Sequence, residues 1–315
     1  MRRTILAVLA VLAAWVPAAA LAADADAILD AAGAHGGLVV VLGCDDPALL
    51  AGLRPSDAYL VHGLDTDPAK VAAAREHLRS KGHDGRVTAS HLAGGRLPFV
   101  DGLVNVLVMA DGDAAVADAE MQRCLAPGGV VVDARRDDLQ VARKATPADL
   151  DGWTHYLYDA SNNAVSNDTA VAPPRGLRWT CGPRYARSHE HLGSVSAMVS
   201  AGGRVFYIHD AGPISSVFLP PEWELVARDA FSGVRLWRRP VARWESQLRG
   251  FRSGPPEIGR RMVVGGGRLY VALNYGDPVI AIDPATGKTL ARLDGTGGAR
   301  ELLYAGDTLY VLADD

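Results

Sequence analysis

Gly266 to Leu290 reads GGRLYVALNYGDPVIAIDPATGKTL, strand and turn in alternation. Leu269 to Leu273 alternates apolar residues around Tyr270, and Asn274 to Asp277 is rich in turn formers. Val279 to Ile282 is a second apolar run, and Asp283 to Lys288 (DPATGK) a second turn. There Pro284 presets φ for a type I turn, and Gly287 suits a position that needs φ > 0. Asp283 can accept hydrogen bonds from backbone N–H groups inside that turn. A hairpin of this kind is barely stable alone in water, so the stretch belongs to a larger repeated sheet.

The repeats are present. Ser200 to Ile208 (SAGGRVFYI) matches Val264 to Ala272 (VGGGRLYVA), and a looser copy runs from Tyr304 to Leu312 (YAGDTLYVL). Leu225 to Trp237 likewise matches Val279 to Ala291. From Arg268 to Thr308 the offset is 40 residues, the size of one four-stranded propeller blade. From Arg204 to Arg268 it is 64, which places insertions in Gly212–Pro221 and Arg239–Arg260. The pattern A-x-D-x-x-[ST]-G-x-x-x-W, carried by Ala227, Asp229, Ser232, Gly233 and Trp237, resembles the repeat of pyrroloquinoline-quinone (PQQ)-type β-propellers. The second copy keeps Ala281, Asp283, Thr286 and Gly287 and has Ala291 in place of the docking Trp. With WTHYLYDASNNAVSND from Trp153 and PPRGLRW at Pro173–Trp179, the segment is similar to the opening blades of large exported PQQ-like proteins of planctomycete-type bacteria. The resemblance implies a propeller fold, and PQQ as a cofactor only in a completed ring. No vicinal cysteine pair of the kind seen in quinone-dependent alcohol dehydrogenases is present.

Upstream the composition changes. Between Ala23 and Leu150 the only aromatics are Tyr59 and Phe99, in an Ala/Val/Leu/Asp-rich background. An α/β module followed by an all-β module produces such a shift. Spacing predicts helix Ala25–Ala34, strand Leu38–Leu42, strand Tyr59–Gly63 ending at Asp65, and helix Pro68–Ser80 with Asp67 as N-cap and Pro at N1. Strands Arg86–Ser90 and Leu103–Met109, helix Ala114–Leu125 and strand Val130–Asp133 follow. This alternation predicts a parallel sheet with helices on both faces.

Val41-Leu42-Gly43-Cys44, Asp65 22 residues after Gly43, Leu97-Pro98-Phe99 and Glu120–Gly129 (EMQRCLAPGG) together resemble class I S-adenosylmethionine-dependent methyltransferases. The resemblance implies a Rossmann-like fold with S-adenosylmethionine as cofactor, held by Gly43 at the first loop and Asp65 on the ribose hydroxyls. The sequence departs from that family where the cofactor would lie. Asp45 and Pro47 replace further glycines, which let the backbone approach a ligand without a Cβ in the way. Asp45 and Asp46 would also repel a methionine carboxylate. Val41 stands for the first-strand acid, Ala93 for an adenine-contacting acid, and Asn105 for the Asp of the F-D-x-V strand. The chain enters the β-repeats soon after Asp133, leaving no room for the family's last antiparallel strands.

The domains expected are a secretory signal peptide at 1–22, a methyltransferase-like Rossmann domain at 23–136, a linker at 137–151, and an incomplete PQQ-like propeller of about three blades at 152–315. Either the chain continues in a longer protein or another chain completes the ring. The signal peptide places the mature protein in the periplasm or outside the cell, with no membrane span left after cleavage. The formal net charge is −4 and no basic stripe tracks nucleic acid. Three cysteines without a CxxC are expected to be free thiols, Cys44 and Cys124 buried, and no metal site is expected from them. Other candidates each have a structural reading. His189-Glu190-His191 could share a ligand but lacks a third group for zinc. His155, Asp159, Asn162 and Asn163 suit turns at the first blade, with a ligand rim as the alternative. His209-Asp210 is a proton-transfer pair or a turn pair.

These readings converge on a non-catalytic binding or scaffold protein whose propeller loops meet an envelope protein or glycan. The alternative is an enzyme: a methyltransferase using Gly43 and Asp65, or a quinone-dependent oxidoreductase completed by further blades. The catalytic residues of either are not specified by the sequence.

Overall fold

The computed structural model describes residues 24–83, 85–110, 116–136, 138–169, 176–182, 195–215, 219–241, 256–274 and 276–314. The signal-peptide segment and His189-Glu190-His191 lie outside these residues. The α/β part is built on β1 (Gly37–Leu42), whose sequence GLVVVL is buried on both faces. That is the composition expected of a central parallel strand. β2 (Tyr59–Asp65) and β4 (Val104–Met109) flank it, with β3 (Val87–His91) beyond β2 and β5 (Leu125–Asp133) beyond β4, all parallel. Helices α1 (Ala25–Ala32), α2 (Pro47–Gly52) and α3 (Pro68–Ser80) bury Ile28, Leu50, Val71 and Leu78 against Val39, Val41 and Val61 on one face. On the other face α4 (Asp118–Cys124) packs Met121 and Cys124 against Val40, Leu42, Leu64 and Leu107. The strand order reverses between β1 and β4, the topological switch point of a doubly wound sheet.

Local signals place these ends. Asp67 accepts a hydrogen bond from the Ala69 amide at 2.7 Å, and Pro68 occupies the first helical turn, as its sequence predicts. The structure corrects the other boundary. Gln140–Arg143, inside the segment read as a linker, forms β6 and pairs antiparallel with β5 from Val130 to Asp133. The sheet therefore has an antiparallel edge strand that the sequence reading left no room for. All four β6 residues are exposed, so no apolar alternation announces them; edge strands solvated on both faces lack that signal. Side chains around β6 hold it. Arg143 donates to the carbonyls of Gly128 and Ala32, and Lys144 Nζ donates to the Gln122 and Leu125 carbonyls at the end of α4.

The rest is all β. β7 (Val195–Ala201), β8 (Arg204–Asp210), β9 (Trp223–Asp229) and β10 (Arg235–Pro240) form one antiparallel meander. β11 (Met262–Gly265), β12 (Arg268–Val271), β13 (Val279–Ile282) and β14 (Thr289–Leu293) form a second, and β15 (Ala299–Ala305) with β16 (Thr308–Ala313) a hairpin. The repeat explains the geometry. Its first hairpin turns at Gly202-Gly203, Gly266-Gly267 and Gly306-Asp307, with φ of 56° and 73°, 53° and 70°, 55° and 59°. Two successive residues at φ > 0 are what a type I′ turn demands, and glycine meets that demand without strain.

The turn before the last strand is tied by its aspartate. Asp229 Oδ1 accepts from the Phe231 and Ser232 amides and the Ser232 hydroxyl, and Asp283 Oδ1 from the Ala285 and Thr286 amides. Each turn's glycine then receives an indole. Trp179 lies on Gly233 and donates to Ala230 O at 3.0 Å; Trp237 lies on Gly287 and donates to Pro284 O at 3.0 Å. A Cβ on Gly287 would meet Trp237 at 2.6 Å, so the indole fills the space that glycine leaves. Trp237 thus links the first sheet to the second, and Phe206, Ile208, Leu225 and Ala227 pack on Val264, Leu269, Val271 and Ile282 between them.

A short segment binds all three copies. The amides of Ser200, Val264 and Tyr304 occupy the same position of the repeat. They donate in turn to Trp153 O (2.7 Å), Thr154 O (3.0 Å) and His155 Nε2 (2.9 Å). Three consecutive residues therefore strap the first strands of the three units, of which β11 neighbours both β7 and β15. Among the described residues no helix is long and apolar enough to cross a membrane.

Candidate functional site

Two ends of the parallel sheet could hold a ligand, and they differ. At the carboxyl end the structure brings Gly43 and Asp65 together, as their spacing predicts. Gly43 follows β1 with φ 114° and donates to Leu64 O at 2.8 Å. Asp65 closes β2. Its Oδ2 accepts from the Cys44 amide and its Oδ1 from the Asp67 amide, both at 2.8 Å, and the residue is only 3% exposed. A ribose needs this carboxylate to be open to it. Here both oxygens are committed to main-chain donors, fastening the first loop to the start of α3.

The neighbouring residues complete the closure. The Cys44 thiol is buried over Gly63, where a Cβ would meet Sγ at 2.9 Å. Burial first, then Asp65 and Asp45, pushes that thiol up to about 12. Asp45 stands where a second glycine would allow backbone approach and is bridged by Lys70 Nζ of α3 at 2.8 Å. Asp46 accepts from the Ala48 and Leu49 amides and so caps α2, occupying the donors that would face an anion. Each Asp65 oxygen thus carries a main-chain hydrogen bond on a carboxylate that is nearly fully buried, and a ribose reaches it only if the first loop moves.

The amino end faces the β-repeats. Asn105, at the second residue of β4, is read from sequence as a lost acid, but the structure gives it a different part. Its Oδ1 accepts from the Leu38 amide at 2.8 Å, and its Nδ2 donates to Asp229 Oδ2 of the first meander at 2.8 Å. Gly37, at φ 110°, allows this approach, since a Cβ there would strike the Asn105 amide. Gly36 packs on Leu236 from β10 in the same seam, where a Cβ would meet that side chain at 2.8 Å. Between the two parts lies a cavity of about 510 Å³, lined by residues that include Asn105, Arg143, Asp151, Arg204, Asp229 and Leu236. No sequence signal marks Arg204 or Arg143 for this place; Arg204 is visible only as the counterpart of Arg268.

The remaining candidates are structural. Asp210 Oδ1 accepts from the Gly212 and Glu222 amides, whereas His209 points to Glu224, 3.7 Å away. Adjacent strand residues face opposite sides, so the two do not form a proton-transfer pair. Asp159 accepts from the Ser161 amide and hydroxyl, and Asn162 takes φ 57° in the same turn. His155 is buried and its ordinary pKa is lowered by that burial. Nε2 accepts from Tyr304, which puts the proton on Nδ1 facing Thr154 Oγ1. Cys44 and Cys124 are buried free thiols as expected, and Cys181 is an exposed one. Among the described residues no three His, Cys, Asp or Glu side chains gather into a metal-holding group.

No protein-family model and no curated protein matches the chain. Solved structures similar to it include an S-adenosylmethionine-dependent methyltransferase of Methanococcus maripaludis, at 19% identity and TM-score 0.32, covering 35% of this chain and 52% of that one. A geranyl diphosphate methyltransferase in complex with S-adenosylmethionine is 24% identical at TM-score 0.32, covering 36% and 48%. The Streptomyces coelicolor geranyl diphosphate C-methyltransferase with S-adenosylhomocysteine is 21% identical at TM-score 0.32, covering 35% and 41%. The chain spans about half the length of these structures. By its strand order, the N-terminal module is a doubly wound, Rossmann-like α/β domain, followed by antiparallel all-β sheets.

Proposed function

We propose that the protein is an exported, non-catalytic binding or scaffold protein, in which a methyltransferase-like module with a closed cofactor edge carries the opening blades of a PQQ-like propeller. The observation that carries the first part is Asp65, buried with both carboxylate oxygens accepting from the protein's own amides. The propeller reading is supported by three equivalent glycine turns, two indoles docked on the glycine of the next turn, and the strap across the first strands. Export is supported by the basic start, apolar run and small residues of Met1–Ala22. The partner in this reading is an envelope protein or glycan met by the loops between strands.

Calorimetric titration of the purified chain with S-adenosylmethionine and S-adenosylhomocysteine tests the closed edge. The expected result is no binding heat up to millimolar ligand. Micromolar binding abolished by Asp65→Ala would establish the methyltransferase reading instead.

A further inference from the structure

The cavity at the amino end of the parallel sheet is lined by an arginine, Arg204, whose Nε is buried and has no hydrogen-bond partner among the described residues. Its Nη1 donates to Gly202 O at 3.3 Å, and its cross-strand neighbour Asp229 directs its hydrogen bonds to other donors. Burial lowers the pKa of this arginine, with the charges of Asp229 and Asp283 opposing. Removing a guanidinium from water costs free energy that only a partnered anion offsets well.

The repeat does not impose this cost. Arg268 holds the equivalent position after the second Gly-Gly turn and is exposed. Arg204 is half-buried, at the cavity where the α/β part meets the first meander. The acids lining the same cavity are already committed. Asp229 receives Asn105 Nδ2, the Phe231 and Ser232 amides and the Ser232 hydroxyl. Asp151 receives the Tyr158 hydroxyl and the Gly152 and Asn167 amides. These bonds spend acceptors of the two carboxylates, while the Arg204 guanidinium keeps an unpaired donor in a fork whose geometry matches a carboxylate or phosphate.

We propose that this cavity between the two parts is a binding site for a small organic anion, whose carboxylate or phosphate group pairs with the Arg204 guanidinium. About 510 Å³ accommodates a metabolite-sized molecule and lies within the range of ligand pockets. The site stands on the amino edge of the sheet, so it does not rest on the closed carboxyl edge and survives if that reading fails.

Thermal unfolding of the purified chain, titrated with sodium phosphate and separately with sodium succinate at ionic strength fixed by chloride, tests it. The melting temperature is expected to rise saturably with at least one anion, half-maximally on the order of 1 mM for so small a probe. Saturation by phosphate alone assigns a phosphoryl group, and by succinate alone a carboxylate. Arg204→Gln should abolish the response, while Arg268→Gln, at the exposed counterpart, should keep it. Absence of a saturable rise with either anion, or an Arg204→Gln response equal to wild type, overturns the site. Should Arg204→Gln fail to fold, Arg204→Lys keeps the charge and loses the fork. It must then raise the half-saturating concentration about tenfold, and an unchanged value overturns the site equally.

Discussion

The two ends of one parallel sheet have opposite polar economies. At the carboxyl end, where doubly wound sheets usually receive a nucleotide, every acceptor and cap has a partner within the chain: Asp65 with Cys44 and Asp67, Asp45 with Lys70, Asp46 with α2. At the amino end, where loops usually do no more than connect strands, a half-buried arginine lines a cavity with its Nε unpaired among the described residues. The comparison teaches that a fold's usual site can be closed by three or four side chains while a cavity lies elsewhere, against a second part. Fold alone does not say where chemistry or binding sits.

The largest expected contrast is in thiol reactivity. A thiol held at about 12, against an ordinary 9.0, carries about a thousandth of the thiolate at pH 8. A chromogenic disulfide reagent should therefore label one thiol rapidly in the native protein, the exposed Cys181, and all three after unfolding. Rapid native labelling of Cys44 would mean that the carboxyl edge opens to solvent, and the contrast between the two ends would collapse.

Next comes Asp65→Ala. If this carboxylate is a fastener, the substitution leaves two main-chain donors without acceptors and should cost about 2–4 kcal/mol in urea unfolding. A ligand-binding carboxylate, exposed until its ligand arrives, would cost far less. Asn105→Asp probes the other end with a smaller effect. It keeps the acceptor for the Leu38 amide but sets a carboxylate against Asp229, for an expected loss of about 1–3 kcal/mol at neutral pH. Repulsion raises the folded-state pKa of one acid of that pair, so the folded state binds more protons and the deficit should shrink as pH falls through that pKa. A deficit independent of pH would place the Asn105–Asp229 contact outside the energetics of the seam.

Much of this was legible from local sequence. Asp67-Pro68 announces the start of α3, the Gly-Gly pairs announce type I′ turns, and A-x-D-x-x-[ST]-G announces an aspartate-tied turn awaiting an indole. Each is a property of a few consecutive residues. The strand β6 was not legible, because its four exposed residues carry no apolar period. Gly43 and Asp65 were correctly brought together, yet their spacing could not reveal that both oxygens of Asp65 are filled. Nor could it reveal the asymmetry of the two meanders. Val264, Val271 and Ile282 of the second pack on the first, whereas the matching residues of the first are Ser200, Tyr207 and Arg228.

The amino-acid sequence by itself determined the alternating α/β module, the repeated four-stranded unit and the residues that cap and turn them, because these follow from periodicity and backbone preference over short spans. Only the tertiary structure decided which polar groups are spent and which are spare. Asn105 meets Asp229 across 124 residues of chain, and Arg204 lines a cavity shared with a part of the chain to which it has no sequence relation. Burial and hydrogen-bond satisfaction are set by what packs from afar, and no local pattern encodes them.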